Sequence, residues 1–251
     1  MSNYTSVHKL DSGVPLGGIG AGKVEIFPDG TLANFTHQNN WGNPLGPTGG
    51  PNHVDARVGH HFAIWVSGRA EGAEPVARLL QTADIAGLPR VREIEYAGEY
   101  PFAKLNYIDP ALPVEVRLEA FSPVVPGNLR VSAMPVAIFV FTLTNSDTAS
   151  AVDAAIMATA RNTVSAWNVG RYNQAVSQGD VRGVLFFADS PLPTDTAHGT
   201  VCLATPAWAG EASYHDAWNL KTLDPFNLSL QNVNLAPWDS FSVTGNLISK
   251  E

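Results

Sequence analysis

The stretch from residue 112 to residue 145 limits what this chain can fold into more than any other. Val114, Val116, Leu118 and Ala120 alternate with Glu115, Arg117 and Glu119, the period of a strand that buries one face and wets the other. A corner carrying Pro123, Pro126 and Pro135 follows, and then a second strand-like run. In that run Val136, Ile138 and Val140 stand opposite Phe139, Phe141 and Leu143, so both faces are apolar. The expectation for it is a central strand with a layer on each side.

The rest of the chain repeats the theme. Short apolar runs alternate with turn residues throughout, and the 22 glycines and 18 prolines are spread rather than gathered in a linker. That is the pattern of an antiparallel sandwich or barrel. Strands are expected at residues 24–27, 151–160, 181–188, 200–204 and 237–243. One short helix is expected at residues 75–84, because Pro75 suits a first helical position and Val76, Leu79 and Leu80 recur at helical spacing. Residues 42–59 form the longest irregular stretch. The predicted class is all-β, a large antiparallel β-sandwich with little helix, with residues 1–251 as a single domain. The run at 237–243 looks like a strand entering a fold that continues, so a fragment lacking its C-terminal strands is expected.

Charge and cysteine content narrow the partners. Fifteen basic against twenty-three acidic residues give a net charge of −8. With no basic cluster to offset it, this argues against nucleic acid and anionic membranes as partners. Cys202 is the single cysteine, so no intramolecular disulfide can form. No apolar run has the length of a membrane-spanning helix, and direct membrane insertion is not expected. Residues 1–10 are polar and carry no secretory apolar region, so a cytoplasmic location is expected.

Several motifs invite a sharper reading and most decline it. Gly17, Gly22 and Lys23 match the spacing of a phosphate loop, but Val24 stands where the magnesium-binding hydroxyl belongs and opens a strand rather than a helix. The dinucleotide fingerprint lacks its third glycine after either Gly18–Gly20 or Gly20–Gly22. These glycines instead suit a tight corner. His37, His53, His60 and His61 fall close together with Asp55, but His60 and His61 are adjacent and would point to opposite faces of a strand. No metal and no cofactor is expected. Asp29, Asp109 and Asp147 sit in turns, and Glu115 and Glu119 on an exposed strand face, so no catalytic carboxylate pair is nominated. Cys202 lies in an apolar run with only His198 near it. Trp65, Trp167, Trp208, Trp218 and Trp238 are expected as core or inter-sheet fillers. Asn39, Asn40, Trp41 and Asn43 with the neighbouring histidines have a composition suited to sugars, since a ring stacks on a pyranose and amides bond hydroxyls.

Four stretches together resemble one family. Residues 99–123 and 132–145 are similar to the N-terminal domain of glycoside hydrolase family 116, the non-lysosomal glucosylceramidase and bacterial β-glucosidase group. The turn Pro15-Leu16-Gly17-Gly18 resembles the opening of its sandwich. Arg161-Asn162 resembles the pair ending a later strand of that domain, and Asn145 the asparagine closing the strand before it. The resemblance implies a supersandwich-like fold and a place in a retaining β-glucosidase acting on β-glycosides. In that family the nucleophilic glutamate and the acid/base aspartate both belong to a C-terminal (α/α) barrel, which implies such a catalytic domain as partner. Neither carboxylate motif can be carried over to this sequence, so the chain alone is expected to hydrolyse nothing. Its long loop would then face the sugar pocket of the intact enzyme through His37, Asn40, Trp41 and His61, shaping specificity rather than doing chemistry. The competing possibilities are a free-standing carbohydrate-binding module and a purely structural β-sandwich.

Overall fold

The computed structural model describes residues 3–5, 12–37, 60–69, 72–85, 87–147, 149–164, 170–189, 194, 198–214, 238 and 241. The chain divides into two compact units, residues 1–159 and 160–251. Among the described residues every pairing between named strands is antiparallel, with one isolated parallel bridge from Leu79 to Arg90, and the fold is an all-β sandwich.

The first unit holds strands β1 (Asn3–Thr5), β2 (Val14–Leu16), β3 (Val24–Ile26), β4 (Leu32–Ala33), β5 (Phe62–Gly68), β6 (Val76–Leu79), β7 (Glu93–Glu99), β8 (Phe102–Ile108), β9 (Glu115–Phe121), β10 (Ile138–Thr144) and β11 (Val152–Ala158), with a one-turn helix α1 (Leu129–Ser132). They form a five-stranded sheet in the order β1-β7-β8-β9-β10 and two three-stranded sheets, β11-β5-β6 and β2-β3-β4. Alternation decides which face turns inward. Ile94 and Tyr96, Ala103, Leu105 and Tyr107, and Val116, Leu118 and Ala120 are all buried. The residues between them, such as Lys104 and Glu119, form an ion-paired outer ladder at 2.7 Å. Opposite this face lie Val14, Leu16 and Ile26 of the β2–β4 sheet and Phe62, Ile64 and Val66 of β5, all in one hydrophobic cluster. Phe62 ties the layers directly, its ring 5.0 Å from that of Phe139 and 5.1 Å from that of Phe141.

The second unit holds β12 (Arg171–Gln178), β13 (Val181–Ala188) and β14 (Val201–Pro206) in one sheet, followed by a 3-10 turn at Ala207–Ala209. Asn162 fastens its start. The amide Nδ2 donates to the carbonyls of Tyr172 (3.0 Å) and Phe187 (3.1 Å) and to Asn173 Oδ1 (3.0 Å), so one side chain spans β12 and β13.

Four expectations change. Residues 75–84 do not form a helix: Val76–Leu79 is strand β6, in register with β5 through Ala63↔Leu79 and Trp65↔Ala77. Four residues are too few to favour a helix by themselves, whereas a neighbouring strand supplies backbone partners at once. Among the described residues, the doubly apolar strand β10 lies at the end of its sheet rather than in the middle, and Val140 on its outer face is 44 % exposed. Trp208 is no filler, being 83 % exposed on the 3-10 turn, while Trp65 is partly exposed and Trp238 is buried as expected. Trp238 and Phe241 are helical where a strand at 237–243 was expected. The rest of that stretch, residues 42–59, Trp41, Trp167 and Trp218 lie outside the described residues. Strands at 24–27, 151–160, 181–188 and 200–204 are present with small changes of boundary. Among the described residues, no helix is long and apolar enough to cross a membrane.

Candidate functional site

The region that the sequence singles out begins where β4 ends. Strands β2, β3 and β4 form a small meander around one buried carboxylate, Glu25, which is 4 % exposed. Burying a charge is costly unless it is paired and hydrogen-bonded. Glu25 meets both conditions: Oε2 accepts from the Gly13 amide (3.1 Å) and Asn34 Nδ2 (3.0 Å), and Oε1 pairs with Lys23 Nζ. The Tyr96 hydroxyl reinforces the same meander from β7, donating to the Ile26 carbonyl (3.1 Å) and accepting from the Val14 amide (3.2 Å). Burial, with a smaller push from the Glu25 charge, raises its pKa to about 12 against the lowering effect of the Val14 bond. The hydroxyl therefore keeps its proton and acts as a fixed strut.

The glycine run serves as a close-contact corner. A Cβ on Gly18 would meet the Met134 carbonyl oxygen at 2.4 Å, and the next amide, that of Ile19, donates to the Ser132 carbonyl at 2.8 Å. Gly22 has φ +85, and a Cβ there would come within 2.7 Å of His37 Cα. No phosphate cradle results, because the run leads into β3 and not into a helix.

Beyond β4 the chain turns sharply. Asn34 takes φ 55, the left-handed region that other side chains avoid, and its amide is the one held by Glu25. Phe35 follows, buried, with its ring 4.3 Å from that of His60 and 5.8 Å edge-on from that of His37. Thr36 is stitched to Lys23 twice: its amide donates to the Lys23 carbonyl (2.9 Å), and Lys23 N donates to its Oγ1 (3.1 Å).

Of the four sequence-selected residues, the structure describes two, His37 and His61. His37 is half-buried beside Gly22 and Phe35, and burial lowers its pKa. His61 is buried, 1 % exposed, with its backbone bonded both ways to Thr159 at the end of β11. Burial first, and the neighbouring His60 second, push its pKa down to about 3. Asn40 and Trp41 lie outside the described residues. What sequence reasoning missed is Phe35, which touches the two histidines on either side of residues 38–59. The aromatic immediately before the polar run was the available signal.

The chemistry open to this site is limited. Glu25 is the only buried acid among the described residues, and both of its oxygens are committed. Asp109 pairs with Arg78 at 3.4 Å, and Asp84 with Arg90 at 2.7 Å. Among the described residues, no group of three or more His, Cys, Asp or Glu side chains could hold a metal ion. A groove of about 460 Å³ at one end of the five-stranded sheet is lined by Asp109, Leu112, Glu115, Arg117 and Ser146. Its charges are answered locally, Arg117 by Glu115 at 3.1 Å. Among the described residues of the meander, the one buried carboxylate is fully engaged and the groups that remain suit binding and positioning.

The family described as beta-glucosidase 2, glycosyl-hydrolase family 116 N-term, matches residues 13–251. The chain belongs to this family. No curated protein matches the chain. The match spans both compact units, and it begins at Gly13, the residue whose amide caps Glu25. Among the residues that carried the resemblance, Asn162 has the strand-bridging role described above. Arg161 beside it is partly buried, and burial lowers its pKa. Asn145 closes β10 by donating to the Ser150 carbonyl (2.7 Å) and accepting from the Asp147 amide (3.0 Å).

Proposed function

We propose that this chain is the noncatalytic N-terminal β-sandwich of a retaining β-glucosidase or glucosylceramidase-like glycosidase of the cytoplasm, and that it packs on an (α/α) barrel catalytic domain of the same enzyme and shapes its active site. The observation that carries the proposal is the family match over residues 13–251, which also supports treating residues 1–251 as one domain. The substrate-facing part of the proposal falls on His37, Asn40, Trp41 and His61. Its support is chemical: imidazole, amide and indole suit hydroxyl bonding and ring stacking, and long loops are the parts of a sandwich free to reach a neighbouring site.

Purified residues 1–251 should show no turnover of an aryl β-glucoside. Clear hydrolysis, abolished by one Asp or Glu substitution within the chain, would refute the noncatalytic role. Mixed with the separately produced catalytic domain, the chain should co-sediment with it; two independent boundaries would refute the packing role.

A further inference from the structure

One end of the five-stranded sheet is built inside out, and it carries an inference that rests on the packing role just proposed. We propose that this end is the surface on which the catalytic domain of the same polypeptide docks, through an apolar helical face of its own.

Elsewhere the outer faces of β8 and β9 carry Lys104, Glu115, Arg117 and Glu119. At this end they lose their charge. Register sets Phe102, Phe121 and Ile138 side by side on the outer face, with the first two rings 5.6 Å apart. The corner between β9 and β10 extends the row with its polarity reversed. Ser122 and Ser132 are buried, and their hydroxyls are spent on backbone. Ser122 donates to the Val136 carbonyl at 2.8 Å and accepts from the Gly17 amide at 2.6 Å. Ser132 accepts from the Val125 amide at 2.9 Å and donates to the Val125 carbonyl at 3.1 Å. The apolar residues of the corner point out instead: Leu129 on α1 is 70 % exposed, and Met134 is exposed beyond it. A surface helix ordinarily turns its apolar residue inward, and α1 does the opposite. Ile19, also exposed, joins from the glycine corner, where its amide donates to the Ser132 carbonyl at 2.8 Å. These hydrogen bonds hold the surface in one shape before any partner arrives.

Composition selects the occupant. Single exposed apolar residues need no explanation, but a contiguous group drawn from three segments marks an interaction surface. Phenylalanine, methionine and arginine are the types that interface cores enrich, and Phe102, Phe121, Met134 and the exposed Arg130 are all here. So apolar a surface suits a permanent contact better than a transient one. An N-terminal domain has a permanent partner in the rest of its own polypeptide, which a tether holds at an effective concentration of the order of millimolar. A second copy has no such advantage. Three of the stretches that carry the family resemblance, residues 15–18, 99–123 and 132–145, meet at this surface, as the Gly17–Ser122 and Ile19–Ser132 bonds show.

The test is thiol labelling of the intact enzyme with a maleimide, read site by site from peptide masses. The thiol introduced by Leu129→Cys should react at least about ten-fold more slowly in the native enzyme than after denaturation, because a docked surface excludes water and reagent. The thiol introduced by Glu115→Cys, on an exposed position at the other end of β9, should show no such protection. Fast labelling at Leu129→Cys, or equal protection at both positions, overturns the assignment of this surface. Protection that disappears on dilution as a dimer dissociates also overturns it, since the occupant is then a second copy. If Leu129→Cys fails to fold, Ile19→Cys on a separate segment carries the same expectation and the same refutation. The packing role has its own measurement in co-sedimentation: if the two parts sediment together while Leu129→Cys labels fast, only the docking surface is wrong. Independent boundaries remove the packing role and this inference with it.

Discussion

His61 makes the first unit sensitive to acid. In an unfolded chain its imidazole takes a proton near pH 6.5, whereas in the fold burial defers protonation to about 3. Between those values the unfolded state binds a proton that the folded state refuses. This contribution to stability is complete above pH 6.5 and is lost as pH falls toward 3, at up to about 1.4 kcal/mol per pH unit. Urea unfolding from pH 7 down to pH 4 should therefore show a steeper loss in the native chain than in His61→Gln, whatever the variant's stability at pH 7. Parallel slopes would show that His61 is not the titrating group.

Single residues were legible where the local chemistry is self-contained. The turn aspartates behave as their type suggests: Asp29 accepts from the Thr31 amide at 3.0 Å, Asp109 from Ala111 at 2.9 Å and Asp147 from Ala149 at 2.9 Å. Trp208 was misjudged because a tryptophan's size argues for burial, while its flanks, Pro206 and Gly210, are punctuation that argues for a surface turn. Phe35 was passed over for a different reason. Its ring contact with His60, at 4.3 Å, joins residues distant in sequence, and no periodicity reports a contact of that kind.

Among the elements, β9 and β10 make contrasting predictions. Leu118 is fully buried in the middle of the five-stranded sheet, facing Leu105 on one side and Phe141 on the other. Leu118→Ala should cost about 3 kcal/mol, in the range of cavity-forming changes in tight cores. Val140 lies on the outer face of the end strand, so Val140→Lys should change stability by less than about 0.5 kcal/mol while making that edge less prone to pair with another strand. Equilibrium denaturation of both variants checks the contrast, and equal costs would contradict the assigned position of β10. The strand β9 was plain from alternation alone. β10 was not, because two apolar faces fit a central strand or an edge strand whose outer face meets something else. β6 was misread because Val76, Leu79 and Leu80 fit a helical stripe as well as they fit a strand end, and only pairing with β5 decides between them.

At the scale of the whole molecule, the proposed noncatalytic role makes the sharpest prediction. Hydrolysis through an oxocarbenium-like transition state needs two carboxyl groups flanking the bond, about 5–5.5 Å apart in a retaining enzyme. The sequence alone nominates no such pair, and in the fold both oxygens of Glu25 are engaged by Gly13, Asn34 and Lys23. What the sequence leaves unsettled is which partners each acid takes in the fold, since those contacts join residues far apart in the chain. The consequence can be measured in the intact enzyme. Replacing Glu25, Asp29, Asp109 and Glu119 in turn by the corresponding amide should leave kcat within about ten-fold of the starting value, because none of these groups would touch the reacting bond. Glu25→Gln should show its effect in thermal stability, since the amide keeps the shape of the carboxylate but loses the ion pair with Lys23. Loss of a catalytic carboxylate costs several orders of magnitude in kcat, on the scale of the three- to four-decade effects known for disabled catalytic groups. A drop of that size at any one of the four positions would place a catalytic group inside this sandwich and end its assignment as a noncatalytic domain.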